Sequence, residues 1–147
     1  MSRTRVSIVL RRLVYRRANG RYEYCRMPEK FSFLSHQIDH VIPEKHGGKT
    51  DSANLALSCA LCNKHKGSDL ASIDPLTGQI TRLFNPRQHS WVEHFTLMDD
   101  GLLTSSTPEG RTTIQLLQLN QMERIEERKL LQESRLWDLL PGSAETD

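Results

Sequence analysis

The chain has 147 residues, 37% of them hydrophobic, which is enough for one domain with a buried core and a terminal extension. No apolar run approaches the roughly 20 residues needed to cross a bilayer, and the stretch Val6 to Leu10 is stopped by Arg11-Arg12, which makes it a poor secretion signal. Three cysteines, two of them in a Cys-x-x-Cys pair, suit metal binding in a reducing compartment better than a disulfide framework, so a cytoplasmic protein is expected.

The net charge of +2 hides an uneven distribution: eight arginines and one acid lie between Arg3 and Arg26, against eight acids and five basic residues from Glu109 onward. Val6, Val9, Leu10, Leu13 and Val14 form the apolar stripe of an amphipathic helix that Asn19-Gly20 would stop. Arg5, Arg12 and Arg16 fall on its other face, a basic surface suited to a polyanionic partner. Residues 21–29 read as a turn. Phe31 to Leu34 and Ile38 to Ile42 read as two arms of a β ribbon, Lys45 to Asn54 as a glycine-containing loop, Leu55 to Ser58 as a returning strand, and Cys59 to about Ala71 as a helix. Asp74 to Gly78 is a turn before a strand at Gln79 to Phe84, and a hairpin is expected around Met98-Asp99-Asp100-Gly101. Trp91 and Phe95 suit the core. Thr107-Pro108-Glu109 starts a helix running to about Leu119, and a longer helix is expected from Gln121 to Leu140. Residues 141–147 read as a frayed tail.

The stretch from His36 to Lys66 concentrates the chemistry. Asp39-His40 sets an acid beside an imidazole in an apolar run, Gly47-Gly48 turns the chain, Asn54-Leu55 follows, and Cys59-Ala60-Leu61-Cys62-Asn63-Lys64-His65-Lys66 joins two thiols to an amide and two ammonium groups. Each cluster alone is an ordinary structural feature. In this order and spacing, together with Tyr24-Cys25-Arg26 before them and Gly67 after, they resemble the HNH endonuclease family. The resemblance implies an α+β fold: an N-terminal helix, a ββα-metal core with a zinc knuckle lacking one cysteine, then short β-hairpins and C-terminal helices. Residues 1–105 would form the nuclease domain and residues 106–140 a helical extension packed on it.

It also implies a metal-dependent hydrolase of phosphodiester bonds in nucleic acid, expected to be DNA, with no membrane partner. Asp39 and Asn63 offer oxygen ligands that favour Mg2+ or Mn2+. His40, mostly neutral at pH 7, is the candidate general base. Asn54 has the donor and acceptor needed to pin the loop and orient His40. Adjacent strand residues face opposite ways, so a twist or bulge at Asp39-His40 belongs to the expectation. Lys64, Lys66, Arg12 and Arg16 are candidate nucleic-acid contacts. In zinc-bearing relatives two Cys-x-x-Cys pairs hold a structural Zn2+. Here Tyr22 stands where the first cysteine belongs, leaving Cys25, Cys59 and Cys62, so either His36 or His65 completes the site or Tyr22 fills the place by packing. The other reading is an HNH-fold module that binds nucleic acid without cutting it.

Overall fold

The computed structural model describes residues 5–138. The tail at 141–147 and the end of the last expected helix, including Leu140, lie outside them. Helix α1 spans Ile8–Ala18, with the Ser7 hydroxyl accepting from the Leu10 amide at its start and Asn19 in the left-handed conformation at its end. The expected stripe is only partly used: Val6 and Val14 are buried, but Val9 is 77% exposed and Leu13 is exposed too. The inward line is Leu10, Val14 and Ala18, because α1 packs on a two-stranded ribbon too narrow to cover a wider face.

Strand β1 (His36–His40) pairs antiparallel with β2 (Leu55–Cys59), and α2 (Ala60–Lys66) follows directly. All five residues of β2 are buried, since α1 covers one side and the knuckle turn and α2 the other. This corrects the expected ribbon. Phe31 to Leu34 is not a strand: Glu29–Phe31 is a short 3-10 turn, Phe33 is fully exposed, and the partner of β1 comes from Leu55–Cys59 instead. The apolar run of β2 must be covered and its backbone groups paired, and β1 does both. Helix α2 is shorter than expected because Gly67, at φ 50°, turns the chain.

Strands β3 (Ala71–Ile73) and β4 (Ile80–Arg82) form a second hairpin. A short α3 (Trp91–His94) carries Trp91 and Phe95 into the core, with the Trp91 indole donating to the Tyr24 carbonyl at 2.8 Å. The hairpin β5 (Thr96–Leu97) and β6 (Leu103–Thr104) turns at Gly101, which has φ 86°. Helix α4 (Pro108–Leu116) begins under a Thr107 cap, and α5 (Met122–Glu133) ends where Arg135 takes a positive φ. Both stop short of their expected ends. Leu117 and Leu119 leave the helical path to enter the core, and Gln118 between them takes φ 52°.

Candidate active site and cysteine cluster

Strand β1 pairs residue for residue with β2, Asp39 opposite Ala56 and His40 opposite Leu55, with no bulge. The strand pairing thus has no bulge, and the two neighbours meet different surroundings. The Asp39 carboxylate is buried. Tyr24 donates to its Oδ2 at 2.6 Å, and Lys66 Nζ lies 3.0 Å from Oδ2 and 3.3 Å from Oδ1. The same ammonium donates to the His40 carbonyl at 3.1 Å. Burial, then the Asp39 charge, push the Tyr24 hydroxyl well above its ordinary value, so it stays protonated and donates.

Lys66 is thus not a phosphate contact. It is 1% exposed, and its ammonium neutralises Asp39 from inside the fold. Helical spacing puts Asn63 and Lys66 on one face of α2, and strand spacing puts Gln37 and Asp39 on one face of β1. The two faces meet: Asn63 Nδ2 donates to Gln37 Oε1 one rung above the Lys66–Asp39 pair. The Asn63 Oδ1 is buried and has no hydrogen-bond partner among the described residues.

His40 leaves the other face of β1. Its Nε2 lies 2.8 Å from Thr50 Oγ1 and 3.5 Å from Glu44 Oε1, and the ring is almost fully buried. Both partners belong to the loop between the strands, which Asn54 holds: its Oδ1 accepts from the Ile42 amide at 2.8 Å, and its Nδ2 donates to the carbonyls of Ile42 at 2.9 Å and Lys49 at 2.8 Å. The glycines serve this loop for different reasons. Gly47 has φ 90°, whereas a Cβ at Gly48 would lie 1.6 Å from the Ile42 carbonyl oxygen.

Beneath the ribbon, Cys25, Cys59 and Cys62 are free, buried thiols whose sulfurs all lie within 4.8 Å of one another. This cluster fits a zinc knuckle and could hold a metal. Neither His36 nor His65 belongs to it. His36 is largely exposed, with Nδ1 2.8 Å from Glu29 Oε2. Tyr22 packs in the fully buried core and turns its hydroxyl to the Leu34 carbonyl at 3.0 Å; burial pushes that hydroxyl up to about 12. A guanidinium approaches the thiols instead. Arg124 Nη2 of α5 lies 3.0 Å from Cys62 Sγ and 3.7 Å from Cys59 Sγ. Hydrogen bonds from Cys59 and Cys62 hold the Cys25 thiol well below its usual range. Burial opposes the charge on Arg124, but Cys62, Cys25 and Cys59 outweigh it and hold the guanidinium firmly protonated.

Residues 23–69 match the HNH endonuclease family model. The matched segment is about a third of the chain and runs from the knuckle turn to just past α2. No curated protein and no solved structure matches the chain. An HNH domain suggests nuclease activity on nucleic acid, and the helix and strands described here set the family's motif positions around one ββα unit.

Outside the HNH segment, Arg12 and Arg16 are exposed on α1 and line a groove of about 750 Å3 together with Arg11, Tyr15, His36 and Ile38. Lys64 is exposed on α2. Sequence reasoning missed Tyr24, Glu44, Thr50 and Arg124. Glu44, four residues after His40, could have been suspected from its spacing; Arg124, 62 positions beyond Cys62, offered no local clue. No helix among the described residues is long and apolar enough to cross a membrane.

Proposed function

We propose that the protein is a metal-dependent HNH endonuclease that hydrolyses phosphodiester bonds in DNA. The observation that carries this is the amide oxygen of Asn63, buried and unpaired among the described residues, on the face of α2 that meets Asp39. An orphaned buried acceptor costs about 1–3 kcal/mol unless something occupies it, and an amide oxygen on the helix face that meets a carboxylate-bearing strand is an oxygen donor of the kind a hard divalent cation takes. When bound, Mg2+ or Mn2+ supplies charge stabilisation at the phosphate and the departing oxygen. Asp39 and Asn63 would hold it, with the Lys66 ammonium beside Asp39 and the Tyr24 hydroxyl fixing its orientation.

His40 acts as the general base. In the tautomer whose Nε2–H donates to Thr50 and faces Glu44, the imidazole keeps its lone pair on Nδ1 and can take a proton from the attacking water. Asn54 positions that loop and takes no proton itself. The α1 groove, three of whose lining residues are arginines, accepts the phosphate backbone beside the His36–Ile38 face of β1. Cys25, Cys59 and Cys62 would hold Zn2+ as a structural ion. The free thiols accord with work in the reducing cytoplasm.

The test is incubation of supercoiled plasmid with Mg2+, Mn2+ or chelator, with His40→Ala in parallel. Metal-dependent nicking or linearisation that disappears in the variant is the expected result. A second reading, an HNH-fold module that binds nucleic acid without cutting, is favoured by one observation: Asp39 is already paired with a buried ammonium and faces away from His40. DNA binding without cleavage by the wild-type protein would establish it and remove the first.

A further inference from the structure

The helical extension reaches the HNH segment at the cysteine cluster. Arg124 is 6% exposed, and besides the two sulfurs its guanidinium donates to the Leu117 carbonyl at 3.1 Å, so the fork is locked from two sides. An N–H aimed at sulfur inside a protein is strong only when the sulfur is anionic. The count of charge is equally specific. Three thiolates around one Zn2+ leave a net charge of minus one, and burying that charge unmatched would be costly. A fourth cysteine in place of Tyr22 would leave minus two, which a single guanidinium could not balance. The room at the cluster is small as well: a cavity of about 20 Å3 lies among Cys25, Cys59, Arg124 and Glu127, close to the space one water needs.

We infer that Arg124 completes the three-cysteine site as its outer partner, balancing the charge of the metal-loaded thiolates and fastening α5 to the HNH segment. This rests on the zinc reading given above and is independent of catalysis. Arg124 is a positioning residue here: it touches the sulfurs and never the ion. Outer partners of metal ligands typically change affinity by about 10–100-fold when removed.

The experiment uses the full chain. Zinc content is measured on protein purified without chelator, and zinc affinity by competition with a chromophoric chelator, for wild type, Arg124→Gln, Arg124→Lys and Arg128→Gln. Arg128 is the control, since it is also buried on α5 and lines the same small cavity but bonds Gly101 and Asn120 rather than sulfur. The expected result is one zinc per wild-type chain, an affinity at least tenfold weaker in Arg124→Gln, an intermediate value in Arg124→Lys, and an unchanged affinity in Arg128→Gln even though that variant is less stable. If Arg124→Gln fails to fold, a severalfold weakening in Arg124→Lys against an unmoved Arg128→Gln supports the inference equally. Unchanged zinc affinity in the folded Arg124 variants would overturn it while leaving the zinc site standing, and a wild-type chain without zinc would overturn both. Cleavage assays do not enter this comparison, so failure of the nuclease reading is recognised separately.

Discussion

Replacing Lys66 by methionine tests the most unexpected contact in the site. Its ammonium and the Asp39 carboxylate are each 2% exposed and lie 3.0 Å apart. Removing one member of such a buried pair costs about 3–5 kcal/mol, because the other charge is left without compensation. The Tyr24 hydroxyl still donates to Asp39 at 2.6 Å, so the lower end, about 3 kcal/mol, is expected at pH 7 in magnesium-free buffer. With a urea slope of about 2 kcal/mol/M, the unfolding midpoint falls by about 1.5 M. Asp39→Asn should cost a similar amount by stranding the ammonium. The double variant Asp39→Asn/Lys66→Met removes both charges and should recover about 2 kcal/mol relative to the sum of the single losses. Additive losses, or a Lys66→Met midpoint within error of wild type, would refute the buried pair. If Lys66 instead met phosphate, as its place in the motif suggests, stability would be unchanged and the slope of log affinity against log salt would fall by about one.

Asn54→Ala removes three hydrogen bonds within the loop, and because that loop is partly solvated the loss should be about 1–3 kcal/mol in urea unfolding. Cleavage by the folded variant should fall as well, since Thr50 and Glu44 would no longer be held at His40. The two glycines should separate: Gly47→Ala meets no atom within 4 Å and pays only for its φ of 90°, about 1–2 kcal/mol, whereas Gly48→Ala must displace the Ile42 carbonyl and should cost more, checked by the same unfolding curves. Arg111, through hydrogen bonds at 2.9 and 3.0 Å, holds the Asp74 carboxyl well below the usual range. The folded value is the lower one, so this pair's stabilisation is complete above the unfolded value of about 3.9 and fades as pH falls below it. Urea midpoints of wild type and Asp74→Asn should therefore differ most at pH 6 and by less at pH 3, the gap closing only as pH falls through the lower, folded value.

What could be read from the sequence here is local. Asn19-Gly20 ends α1, Thr107-Pro108 starts α4 and Gly101 turns the last hairpin because each depends on backbone geometry within a few residues. The order of Asp39-His40, Gly47-Gly48, Asn54 and the cysteine pair likewise lies within one short span, and the ββα arrangement follows from it. The failures share one physical cause, that burial is decided by what packs against a residue from elsewhere. Lys66 has the composition and position of a solvated helix residue, yet its ammonium is drawn inward by a carboxylate 27 positions earlier. Val9 and Leu13 belong to a well-formed apolar stripe that finds too narrow a surface to cover it.

The cysteine cluster divides along the same line. The sequence by itself determined that one cysteine of the knuckle is replaced by Tyr22 and that three thiols remain, since those are matters of residue identity and spacing. Only the tertiary structure decided what surrounds the three thiols. Tyr22 turns its hydroxyl toward Leu34, His36 turns toward Glu29, and α5 brings Arg124 across 62 residues of chain to the sulfurs. A guanidinium reaches buried sulfurs for electrostatic reasons that act through space, and no pattern along the chain encodes that meeting.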